Sequence, residues 1–185
     1  MSISPFYDAG PLEQVAINLF YGWGYNFYRK ENQLRADDQL VRAKACWLLA
    51  LSRGAVENAE AAYRREHLPP PSRANPYPDP AAVSGAQALE RLSKAIGSTE
   101  AQIRNQPVPE NDHMTQRYRQ EAPTLVALEE CDQDLIGQAD LLRTLLDGRT
   151  GEAIVETLPD LEHGLAAIAD TLHRRQAVLF GGGPA

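Results

Sequence analysis

Asn18, Tyr21, Tyr25, Asn26 and Arg29 set two amides, two phenols and a guanidinium into an aromatic, apolar stretch of the chain, INLFYGWGYNFYRK. On a helix, Tyr21, Tyr25 and Arg29 follow one another at intervals of four, and Asn18, Gly22 and Asn26 line up beside them. If that stripe faces inward, each group needs a partner, because an unsatisfied buried donor or acceptor costs about 1–3 kcal/mol. The groups either satisfy one another or line a polar pocket for a small molecule, which makes these five residues the candidate ligand site.

The residues that follow suit contact better than chemistry. Glu31, Arg35, Asp38 and Arg42 recur at steps of four, three and four with alternating sign. Such pairs contribute only about 0.2–0.5 kcal/mol each, so they read as a solvated or partner-facing rail. Beside them Phe27, Leu34 and Val41 stand seven apart, and Leu48 and Ala55 continue the row. Residues seven apart drift only about 20° per step and stay on one side of a helix. A narrow apolar seam flanked by charge is what a contact between two helices of different subunits requires, and a homodimer through this helix is expected.

A weaker metal candidate is Asp160 with His163, three residues apart, joined by acidic residues of the preceding helix. Both lie opposite the apolar row Leu161, Leu165, Ile168 and Leu172, which favours a solvated face over a metal site. Glu129, Glu130, Asp132 and Asp134 cluster near a helix start, where the macrodipole favours negative charge. The sequence has no Gly-x-Ser-x-Gly and no Cys-x-x-Cys-His. Cys46 and Cys131 sit far apart within apolar patterns and read as buried, reduced thiols. No cofactor is expected, and a non-enzymatic role through protein contact is the leading expectation. The alternatives are a ligand-binding or catalytic bundle built on the Asn18–Arg29 stripe and, more weakly, a metal-binding bundle.

Composition narrows the partners. The 185 residues carry 25 acidic against 18 basic side chains, a formal charge of −7. An acidic chain offers no electrostatic footprint for phosphate backbones or anionic lipid, so neither nucleic acid nor membrane is expected as a partner. Self-association is, with a small molecule as the alternative. The start MSISPFYDAGPLEQ shows neither a basic leader nor an apolar core, and no apolar run is long enough for a bilayer, so a cytoplasmic protein is expected.

The elements that position these residues are all helical by pattern. Apolar residues recur at three- and four-residue spacing almost throughout, and strict alternation is missing. A first helix is expected from Pro11. A long one follows from Tyr25 to Arg53 and continues past a stop or kink at Gly54 to His67, with a break near Asp37 as the rival reading. Pro69 to Pro80, PPPSRANPYPDP, is an extended connector. Helices are expected at 81–105, loosened at Gly97, and from a Thr124 cap to Leu146, closed by Asp147-Gly148. After a short helix over 150–156, Thr157 and Asp160 read as a capping box for the last one, and residues 180–185 form a tail. The expectation is a single all-α domain over 1–185. It is an antiparallel helical bundle of four to five main helices, with a proline-rich connector between the second and third.

Overall fold

The computed structural model describes residues 30–73, 76–106 and 122–180. Five helices account for nearly all of them: α1 (Lys30–His67), α2 (Pro80–Arg104), α3 (Ala122–Leu146), α4 (Gly151–Glu156) and α5 (Leu158–Phe180). The fold is all-α, as the periodicity predicts, and the described residues contain no strand.

The four long helices form a ring. α1 packs on α2 and α3, α5 closes the other side against the same two helices, and the short α4 bridges α1 and α2. The centre is aliphatic and fully buried, with Leu49 from α1, Ile96 from α2, Leu135 from α3, Ile154 from α4 and Ile168 from α5 each at 0 % exposure. Burying such a side chain contributes about 1.5–3 kcal/mol, so this shared centre holds five elements to one another.

Polar side chains set the direction of the first pair. Arg42 Nη1 donates to the Gln106 carbonyl (3.0 Å), Arg53 Nη1 to Glu100 Oε2 (3.3 Å), Ser93 Oγ to Glu57 Oε1 (3.2 Å) and Arg64 Nη2 to Glu90 Oε2 (3.2 Å). Numbers rise along α1 as they fall along α2, so these two helices run antiparallel. The acidic cluster of α3 serves a similar purpose. Asp132 accepts from the buried Arg175 Nε at 2.6 Å and Asp134 from Arg174 at 2.9 Å, tying α3 to α5. Because α3 starts at Ala122 and has no acidic residue in its first turn, Asp132 and Asp134 fall mid-helix beyond the reach of the dipole expected to favour them, and these arginines account for their place instead.

Several boundaries differ from expectation, each for a local reason. α1 passes through both Asp37 and Gly54 without a break. α2 likewise runs unbroken through Gly97. Tertiary packing outweighs the propensity cost of about 1 kcal/mol for a helical glycine. α2 starts at Pro80 because Asp79 caps it, accepting from the Ala81 N–H at 3.2 Å, so the described part of the connector is Leu68–Arg73 and Pro76–Asp79. α3 begins at Ala122, which places Thr124 inside the helix. The capping box at Thr157 does not form. Its hydroxyl donates backward to the Ala153 carbonyl at 2.9 Å and closes α4, while Thr150 caps the start of α4. Gly148 ends α3 at φ 66°, the left-handed stop expected after Asp147. No helix of the described residues is long and apolar enough to cross a membrane.

Candidate functional site

The proposed ligand stripe, Asn18, Tyr21, Tyr25, Asn26 and Arg29, lies outside the described residues, as does Phe27 of the expected seam. Glu31, Leu34, Arg35 and Asp38 fall on the backbone of α1. The two members whose side chains are described are both engaged within the chain. Val41 packs against the core, and Arg42 bonds to the end of α2. Leu48 and Ala55, which continue the seven-residue row, also face the core.

The opposite face of α1 carries one stretch of exposed apolar surface, while Tyr77 and Leu141 of α3 are exposed singly elsewhere. Trp47 is 51 % exposed and Leu51 44 %, four residues apart on the outside of the ring. The same arc continues through Ala50, Gly54, Asn58 and Ala61. Trp47, Leu51, Gly54, Asn58 and Ala61 stand at steps of four, three, four and three, a heptad seam over about 20 Å of helix. No charged side chain interrupts it. Arg53 and Glu57 turn instead toward α2, bonding to Glu100 and to Ser93, while Glu60 pairs along α1 with Arg64. Lys44 lies at the margin with its ammonium 4.0 Å from the centre of the Trp47 ring, which holds that ring against the helix surface.

Gly54 adds a geometric property to this face. A Cβ there would meet no atom within 4 Å, so nothing inside the chain calls for its missing side chain. The same holds at Gly137 and Gly164; a glycine in the helix interior costs about 0.5–1 kcal/mol relative to alanine and leaves room for another backbone to approach.

Between α1 and α2 runs an open cleft of about 580 Å³ lined by Arg42, Cys46, Trp47, Glu100 and Arg104 among others. Its charged groups already serve the fold. Glu100 is 7 % exposed and accepts from both Arg53 and Arg104, while Arg42 reaches Gln106. Cys46 donates weakly to the Glu100 carbonyl at 3.7 Å, and burial pushes its thiol above the usual range, away from nucleophilic character. Burial does the same to Cys131.

Asp160 and His163 lie exposed on α5, alongside Glu162 and Asp170. Among the described residues, the one group of three metal donors within ligating reach is Glu66, His67 and Glu152, at the far end of α1. The Glu-x-x-His spacing of carboxylate-bridged metal bundles occurs at Glu110–His113, outside the described residues. Sequence reasoning passed over Trp47 and Leu51. The signal that marks them is the uncharged stripe on the side of α1 opposite its core row. No family model matches the chain, and neither the curated proteins nor the solved structures contain a match.

Proposed function

We propose that this protein works by protein–protein contact, as a homodimer formed through the outer face of α1 rather than through the Phe27–Val41 seam. The observation that carries the reading is the pair Trp47 and Leu51, more than two-fifths exposed on a face whose charged side chains, Lys44 and Arg65, stand only at its ends. Scattered exposed hydrophobes are ordinary, but a contiguous stripe at heptad spacing is what a partner helix covers.

The stripe is complementary to itself. Its N-terminal half is bulky, with Trp47 and Leu51, and its C-terminal half is small, with Asn58, Ala61 and Ala62. Two copies crossing antiparallel at Gly54 set Trp47 against the partner's Ala61 and bring the two glycine backbones together on a two-fold axis. That is the isologous arrangement a closed dimer uses, with large residues meeting small ones across the contact. The free, buried thiols of Cys46 and Cys131 fit a reducing, cytoplasmic setting for such an assembly.

Sedimentation equilibrium at micromolar concentration tests this. The expected mass is twice the 20.4 kDa of one chain. Trp47→Glu is expected to return the protein to monomer with an unchanged helical circular dichroism spectrum. A wild-type monomer at that concentration, or a dimer indifferent to Trp47→Glu, contradicts the reading.

A further inference from the structure

At the end of α1 farthest from Trp47, three elements meet around an aromatic ring. Tyr63 lies against α4 so closely that a Cβ on Gly151 would fall 2.8 Å from its own Cβ. One turn on, the His67 imidazole packs on the Tyr63 ring with centroids 4.4 Å apart. Its Nε2 meets Glu152 Oε1, bringing together residues 85 apart in the sequence. Glu66, next to His67, completes a group whose donor atoms all lie within 4.8 Å of one another.

We propose that Glu66, His67 and Glu152 form a binding site for a divalent transition-metal ion, clamping the end of α1 to α4. The donor set carries the choice of ion. One imidazole with two carboxylates suits zinc and its first-row neighbours, whereas magnesium and calcium favour oxygen alone. Three protein donors with open positions beside them is also the count that zinc accepts when it keeps water or another ligand.

Two further observations favour a cation at this point. First, among the described residues the Glu66 carboxylate has no hydrogen-bond or ion-pair partner, although it sits within 4.8 Å of Glu152. Two carboxylates at that separation repel by about 1 kcal/mol even in water, and a cation shared between them removes that repulsion. Second, the site lies at the C-terminus of a 38-residue helix, where the macrodipole favours positive charge. The Tyr63 ring supplies what a ligating histidine needs in addition, a neighbour that restrains its plane.

Because the ligands His67 and Glu152 lie 85 residues apart in the sequence, an ion bound here stabilises the folded state over the unfolded one. Titration calorimetry with Zn²⁺ on the full chain, paired with thermal unfolding, tests the proposal. One Zn²⁺ per chain and a raised Tm are expected. His67→Ala and Glu152→Gln are each expected to weaken binding about tenfold or more. Glu66→Gln decides between chelation and a simple ion pair. It replaces an exposed side chain without a partner, leaves the His67–Glu152 contact in place, and is expected to weaken Zn²⁺ binding comparably while the metal-free protein keeps or slightly raises its Tm, since the Glu66–Glu152 repulsion is relieved. Co²⁺ substitution is expected to give visible d–d absorption that is lost in His67→Ala. Absence of saturable Zn²⁺ binding below about 1 mM, or affinity unchanged in Glu66→Gln and Glu152→Gln, overturns it; the latter result places the ion elsewhere, for example at His163 or His173.

Discussion

α1 and α5 stand diagonally across the bundle, and their inner sides are alike. Leu49 and Val56 on one helix, Ile168 and Leu172 on the other, are buried in the same core. Their outer sides are not alike. α5 shows Asp160, Glu162, His163, Asp170 and His173 to solvent, the ordinary face of an amphipathic helix. α1 shows Trp47, Leu51, Gly54, Asn58 and Ala61, and directs Arg53 and Glu57 toward α2. Under the proposed dimer, the contrast separates a side that ends the molecule from a side that meets a second copy.

The comparison is sharpened first at the inner sides, where the two helices should respond alike. Leu49→Ala and Ile168→Ala, each at a fully buried position, are expected to cost about 2–5 kcal/mol in urea unfolding. A much smaller cost at either site would mean that its helix is not part of the common core. At the outer sides the responses should part. Trp47→Glu is expected to weaken dimerisation by about 2 kcal/mol or more, as loss of a central tryptophan anchor does, while His163→Ala leaves both mass and stability within about 0.5 kcal/mol of wild type. Equal effects of the two changes would erase the distinction between the faces.

Gly54→Ala offers a finer cut. Helix propensity predicts about 0.5–1 kcal/mol of added stability for the isolated fold, and close approach of two backbones predicts weaker association. Measured by urea unfolding at low protein concentration and by sedimentation at high concentration, the two quantities should move in opposite directions.

The smallest effect expected is on the alkaline side. Burial raises the thiols of Cys46 and Cys131, so the unfolded chain loses these protons at lower pH than the folded one. Stability from this source is present below the ordinary thiol range and falls as pH rises through it. Cys131→Ala is expected to flatten part of that fall in urea midpoints between neutral and alkaline pH.

Much of the architecture was legible in the residues. The row Val41, Leu48 and Ala55, the proline-rich break after Leu68 and the Asp147-Gly148 stop all correspond to observed features, because periodicity and turn chemistry are local properties. What the row could not show was which neighbour it meets. Seven-residue spacing is the same whether a helix packs on its own chain or on another, and Val41 packs inward. The exposed stripe carried the complementary signal, an absence of charge on the side opposite that row. Its alanines and lone glycine gave it too little hydrophobicity to stand out. Thr157 was misread for a related reason. A threonine hydroxyl both donates and accepts, and the pattern around it does not say which role the preceding turn will claim. The group at His67 was invisible in sequence because Glu152 reaches it only through the fold.

The central claim is that two copies cross at Gly54, and a cysteine placed on that axis reports it directly. Gly54→Cys, treated with a mild oxidant at a protein concentration high enough to offset the weaker association expected of any side chain at 54, is predicted to give a covalent dimer, since both native thiols are buried. The same change combined with Trp47→Glu should fail to cross-link. A Gly54→Cys protein that stays monomeric with its new thiol reduced and reactive would contradict the account.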